Sequence, residues 1–183
     1  FHWTHDEVVN ADKVLTSKSP YLNVEFFAIR TAVILLLWIL FYVLITRNSE
    51  KQDESRDVKY TVRNIKISMV FGPLFLITLT VISIDWMMSL EPHWFSTMFG
   101  VYYFAGTMLA ALSVNTFILI NLKENDYLPK EIHDRHFYSL GTLIFAFTVF
   151  WGYIGFSQYM LIWYSDLPEE TFWMIQRWEG SWK

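Results

Sequence analysis

Residues 31–46 read TAVILLLWILFYVLIT, with no charge, proline or glycine among them. A helix at the surface of a soluble bundle puts polar residues on one face every three or four positions, whereas this stretch is apolar round its whole circumference. Extended back to Val24, with Arg30 as its only charge after Glu25, it reaches the roughly 20 residues that cross a hydrocarbon core about 30 Å thick. Three further windows have the same character. The second, 67–89, holds one charge, Asp85, and a Gly72-Pro73 pair expected to kink it, because proline lacks a donor and clashes one turn back. The third, 95–122, is uncharged throughout, and so is the fourth, 137–164. The reading is an all-α, polytopic membrane protein with four transmembrane helices. Between and around them lie an outer segment 1–23, a loop 47–66, an outer turn 90–94, a second loop 123–136 and an outer segment 165–183. No alternating segments of about ten residues recur, which excludes a transmembrane β-barrel.

Composition agrees. Of 183 residues 54% are apolar and only 17% charged, against roughly 25% charged in soluble domains. A net charge of -4 argues against nucleic acid as a partner. Cys is absent, which rules out disulfides, thiolate-held zinc, iron–sulfur clusters and thioether-attached haem in this chain. The polar opening FHWTHDE leads us to expect no cleavable signal peptide.

Loop charge sets the expected orientation. Arg47, Lys51, Arg56, Lys59, Arg63 and Lys66 lie between the first two spans, and Lys123, Lys130 and Arg135 between the last two. The opposite side has Lys13, Lys18, Arg177 and Lys183, so nine basic residues face four once Arg30 is set aside as intramembrane. Positive residues on short loops stay cytoplasmic, which makes 47–66 and 123–136 cytoplasmic loops and turns both chain ends outward. We read SEKQDESRDVK within the first of these as a solvated connector of mixed sign. Trp3, Trp86, Trp94, Trp163, Trp173, Trp178 and Trp182 all fall at or beyond the outer interface. They read as an anchoring belt, with Trp94 and Trp173 as candidates for docking an extramembrane partner.

Ionisable groups inside a membrane are costly and are functional candidates by default. Arg30 and Asp85 lie at similar depth on antiparallel helices and are expected to face each other, either as a structural ion pair or as a proton-accepting carboxylate tuned by its neighbour. Asp85, Glu91 and His93, flanked by Trp86 and Trp94, place three titratable groups within one short outer turn. Such a set suits the end of a proton path or the polar head of a quinone, and it also reads as an interfacial turn with Glu91-Pro92 starting a short helix. Asn115 and Gln158 are candidate relays, while most other hydroxyls and amides of the last two helices read as packing contacts. Gly100, Gly106, Gly152 and Gly155 are expected to allow close helix approach.

All histidines fall in termini or loops, which argues against a bis-histidine haem here. His2 with His5, and His133 with His136, have spacing that can share a metal, but without further ligands nearby each pair reads as ordinary exposed histidines.

At DWMMSLEPHWFSTMFGVYYFAG (85–106), and again at LIFAFTVFWGYIGFSQYMLIWYSDLPEET (143–171), the chain closely resembles the ActF-type integral membrane subunit of bacterial alternative complex III, a quinol:cytochrome c oxidoreductase. PYLNVEFFAIR (20–30) and WMIQRWEGSWK (173–183) look like the same subunit, so the resemblance runs over essentially the whole chain. It implies a piece of a larger NrfD-like helical bundle in the bacterial inner membrane, working in respiratory electron transport and not catalytic alone. The implied partners are a homologous NrfD-like membrane subunit and periplasmic redox subunits that carry haem c and iron–sulfur clusters. No cofactor is expected in this segment itself, with quinone or lipid as candidate ligands. Carried onto this sequence, the motif positions are Asp85, Glu91 and His93, with Tyr153, Ser157 and Gln158 on the last helix. The implied role is proton conduction or energy coupling; a second quinone site and a purely structural anchor for the redox subunits are the alternatives.

Overall fold

In the computed structural model, which describes residues 2–129 and 132–179, the chain is built of helices and turns, with no strand among the described residues. Lys130 of the second basic loop, the closing residues 180–183 with Trp182 and Lys183, and the side chain of His2 lie outside the described set. The chain divides into two compact units, 1–93 and 94–183. Four helices are long and apolar enough to cross a membrane, two in each unit, as a multi-pass membrane protein requires.

In the first unit α1 (Asp6–Ala11) and α2 (Lys13–Lys18) precede α3 (Val24–Ser55) and α4 (Val58–Trp86). Asp12 separates the two short helices and caps the second by accepting from the Val14 N–H at 2.8 Å. Trp3, Leu15 and Leu22 are buried against one another, with Val9 and Phe27 packed on them, so the N-terminal segment has a small core of its own. Asn23 opens α3 as an N-cap, accepting from Phe26 N–H at 2.8 Å.

The solvated connector expected over 47–66 is instead mostly helix. α3 continues to Ser55, α4 begins at Val58, and the chain reverses through Arg56, in the left-handed region at φ 52°, and Asp57, whose carboxylate accepts from Lys59 N–H. The reason is local: SEKQDES holds no glycine or proline and consists largely of residues that tolerate helix. Side chains then join the two extensions, Asn48 Nδ2 donating to Asn64 Oδ1 at 2.8 Å and Gln52 Nε2 to Thr61 Oγ1 at 2.6 Å.

Within the apolar stretch α4 runs through Pro73 as one continuous helix. Phe41 stacks on Phe71 at 4.8 Å and Trp38 lies 5.2 Å from Phe75 beside it, while Trp38 Nε1 donates to Thr78 Oγ1 at 2.9 Å. Beyond Trp86 a short 3-10 turn covers Met88–Leu90. It ends before Glu91-Pro92, which therefore close a helical turn and do not start one.

The second unit pairs α5 (Phe99–Glu124) with α6 (Asp134–Ser165), and the amphipathic α7 (Pro168–Trp178) follows. Residues 95–98 form the turn leading into α5, so the third helix starts four residues later than expected from hydropathy. His133 and His136 cap the start of α6, the His133 N–H donating to His136 Nδ1 at 3.1 Å. Two of the glycines allow close packing between the pair. A Cβ on Gly106 would lie 3.2 Å from Trp151 Nε1, and one on Gly155 would lie 3.2 Å from Tyr102 Cε2, the two aromatic rings themselves stacking at 5.5 Å. Gly152 has nothing within 4 Å of an added Cβ. Gly106→Leu and Gly155→Leu are therefore expected to cost about 1–3 kcal/mol by overpacking, and Gly152→Ala to be neutral or stabilising. Thermal unfolding in detergent checks this, and equal losses at all three positions would refute it.

Candidate functional site: a buried ion pair between two long helices

Arg30 stands two turns into α3, and Asp85 in the last turn of α4, so the antiparallel hairpin brings the two to the same level. They meet as expected. Arg30 Nε donates to Asp85 Oδ2 at 2.8 Å and Nη2 to Oδ1 at 3.1 Å, the two-pronged geometry that a planar guanidinium and a carboxylate share. Both groups are withdrawn from solvent, with side-chain exposures of 12% and 2%.

The third prong of the guanidinium, Nη1, donates to the Tyr21 carbonyl at 3.0 Å. Its carbon sits 3.9 Å from the centre of the Tyr21 ring and 4.3 Å from that of Phe26, so the cation is held over two aromatic rings as well as by its anion. Below Asp85, the fully buried Ser83 donates to Thr80 O, and Ser89 Oγ donates to the Asp85 carbonyl. Burial first, and then the hydrogen bond and charge of the Asp85 carboxylate, push the Tyr21 phenol above its usual range. Tyr21 and Phe26 are the members of this site that hydropathy did not reveal. Phe26 could have been found, since it lies four residues before Arg30 on one helix face.

The grouping of Asp85 with Glu91 and His93 is not what the structure has. Asp85 is committed to Arg30, Glu91 is exposed, and His93 turns to the N-terminal segment, its Nε2 2.7 Å from Asp12 Oδ2. The 3-10 turn Met88–Leu90 separates Asp85 from His93, and beyond it the imidazole meets Asp12, which caps α2. Lys18 Nζ donates to the Pro92 carbonyl beside it, so two polar links tie the N-terminal helices to the 91–93 turn. Trp86, exposed, is within reach of Thr31 Oγ1 at 3.4 Å.

Trp94 is likewise not a free docking surface. It is 3% exposed, stacks on Trp173 at 4.7 Å with 15° between planes, and Arg177 lies over the Trp173 ring at 3.4 Å. The two indoles are spent on holding α7 to the turn before α5. The expected belt accordingly divides: Trp86, Trp163 and Trp178 are exposed, whereas Trp3 and Trp94 are buried in protein.

On the last two long helices the candidates do not converge. Asn115 is exposed and donates to Ala111 O on its own helix at 2.9 Å, and Tyr153 is 64% exposed. Ser157 is half-buried; Gln158 lines a cavity of about 240 Å³ together with Phe95, Met98 and Glu170. Glu170 carries the one titratable group in that lining and was not singled out by sequence, because it reads simply as an acid in the first turn of α7.

Neither the known protein-family models nor the curated proteins contain a match to this chain.

Two predictions follow from this geometry. Removing one partner of the buried pair, as in Asp85→Asn or Arg30→Gln, is expected to cost about 3 kcal/mol, and Arg30→Met with Asp85→Leu markedly less than the sum of its single changes. A double-mutant cycle on thermal unfolding in detergent measures the coupling; additive losses would mean the pair contributes no mutual energy. The second concerns the N-terminal helices. The Val14 N–H foremost, with His93 adding to it against the effect of burial, holds the Asp12 carboxyl below the usual Asp range. A lowered pKa contributes stability that is complete above the ordinary Asp value and is lost as pH falls through the lower one. Protection of residues 6–18 against hydrogen exchange, taken relative to the intrinsic exchange rate at each pH, is thus expected to fall as pH drops below the ordinary Asp value, and to lose that pH dependence in Asp12→Asn.

Proposed function

We propose that this chain is part of an ActF-type integral membrane subunit of alternative complex III, a quinol:cytochrome c oxidoreductase of the bacterial inner membrane. In this reading haem c and iron–sulfur clusters belong to periplasmic redox partners, a homologous NrfD-like subunit lies alongside, and this chain serves proton conduction or energy coupling. Membership is supported by the wording of residues 85–106 and 143–171 and by four helices able to span a membrane. The role is supported above all by one observation, the buried two-pronged Arg30–Asp85 pair.

An ion pair that costs free energy to insert is retained where the charge is used. A proton delivered to Asp85 would neutralise the anion that holds Arg30. The guanidinium would keep its other partners, the Tyr21 carbonyl and the two rings. Proton arrival and a shift of Arg30 towards Tyr21 are then one event, and the Tyr21 phenol beside Asp85 is the next group outward able to exchange a proton. Quinone binding is a second reading with a different locus from the 91–94 turn: the cavity lined by Gln158 and Glu170 also holds Ser96 and Thr97, with Phe95, Met98, Leu161 and Ile162 as its apolar walls.

Purification through a tag on this chain is expected to bring down haem-bearing partners; a chain isolated without them would end the membership claim. In the assembled complex, Asp85→Asn should lower protons released per electron while quinol turnover persists. The charge-free pair Arg30→Gln with Asp85→Asn, which leaves no buried charge unmatched, should show the same loss. Unchanged proton release in both would remove the proton role, and loss of inhibitor binding in Gln158→Ala would transfer the site to quinone.

A further inference from the structure

At the end of α6 the chain turns through Asp166, whose backbone is left-handed at φ 47°, and α7 folds back beside the last turns of α6. Between them lies a cavity of about 390 Å³. Three aromatic side chains line it, Tyr159, Trp163 and Trp178. The Tyr159 and Trp178 rings are near parallel, 16° apart in plane with 6.4 Å between centroids. Asp166 and Glu179 supply its charged groups, and no Lys or Arg lines it among the described residues. The basic side chain of α7, Arg177, is spent elsewhere: it lies over the Trp173 ring and its Nη1 donates to the Trp173 carbonyl at 2.9 Å.

This combination selects by charge. Aromatic faces attract an alkylammonium group through their quadrupole, and two carboxylates add a net negative field that disfavours anions. A neutral planar ligand would use the rings but leave both carboxylates without a counter-charge. The place selects as well. The spanning helix ends at Ser165, next to the cavity, and Trp163 and Trp178 remain 64% exposed at the level where indoles meet headgroups. At the end of a span, the ammonium groups at hand are those of the bilayer itself. We propose that this cavity binds the ammonium headgroup of a zwitterionic phospholipid, phosphatidylcholine or phosphatidylethanolamine, and that this holds independently of the complex the chain joins.

The test is lipid retention by the purified full chain. After reconstitution in nanodiscs of equal phosphatidylcholine, phosphatidylethanolamine and phosphatidylglycerol, followed by detergent extraction, mass spectrometry of the protein counts what stays bound. The wild type should retain the two ammonium lipids over phosphatidylglycerol by about fivefold. Asp166→Asn with Glu179→Gln should bring that ratio near unity; asparagine tolerates the left-handed turn, so the change reports charge and not a lost fold. Trp178→Leu should lower it too, while Tyr138→Leu, an exposed ring at the opposite end of α6, should leave it unchanged. A wild type with no preference, a preference that survives both cavity variants, or displacement of the bound lipid by Tyr138→Leu alone would overturn the assignment. So would choline chloride binding to the detergent-solubilised chain while phosphatidylcholine does not, which would make the site one for a free ammonium compound.

Discussion

Inside a bilayer no water is present to satisfy a backbone amide, so each spanning segment must close its own hydrogen bonds as a helix. The same absence removes the hydrophobic drive that joins helices in water, since a lipid tail is as apolar as a leucine. What holds one helix to its neighbour must then come from polar contacts or from shape. The two units of this chain weight the two means differently. Along α3 and α4 polar contacts recur at successive levels: Gln52 with Thr61, Asn48 with Asn64, Trp38 with Thr78, and Arg30 with Asp85. A slip of one residue would break all of these together, so they fix the register of the hairpin more sharply than the Phe and Leu contacts between them. α5 and α6 share one such contact, Lys123 with Asp134 where α5 ends and α6 begins, and along their length seat Trp151 against Gly106 and Tyr102 against Gly155.

This division explains what could be read from the sequence and what could not. Hydropathy finds the spans because it measures transfer into lipid, and the depth argument that pairs Arg30 with Asp85 needs only the helix rise and the antiparallel turn. Helix ends beyond the apolar stretch are a different matter. SEKQDES looks like a loop by polarity, yet polarity reports contact with water and not backbone conformation, and a charged helix standing in water has the same composition. The missed contacts share a cause too. His93 is near Asp85 in the chain, but Asp85 is taken by Arg30, so closeness in sequence misled; Asp12, some eighty residues away, is the partner. Trp94 and Trp173 read in the sequence as candidates for docking a partner, and they are together, but stacked on each other. An indole count can place residues at an interface without saying whether lipid, a partner or another indole covers the ring.

The length of α3 places the charged pair along the membrane normal. Thirty-two residues at 1.5 Å each make a helix of about 48 Å, well beyond a hydrocarbon core of about 30 Å. The excess is assigned by composition: from Arg47 onward the helix is mostly charged or polar, so this end projects into water and the apolar core ends near Thr46. Counting back about 30 Å from Thr46 reaches the neighbourhood of Phe26 and Phe27. Arg30 and Asp85 therefore lie about one turn inside the boundary at the N-terminal end of α3, not at the bilayer centre, where a charge is dearest. At that depth Tyr21 and Phe26 take the place that headgroups and water would otherwise occupy around the Arg30 guanidinium. The burial of Asp85 is thus made by protein, with Arg30 and Tyr21 beside it, while Asp12 and Lys18 fasten the N-terminal helices to the 91–93 turn. A change that frees Tyr21 would alter the surroundings of the ion pair without touching either charge. The ion pair and the segment that precedes α3 thus meet at one residue, Tyr21, whose carbonyl and ring hold the cation from the side opposite Asp85.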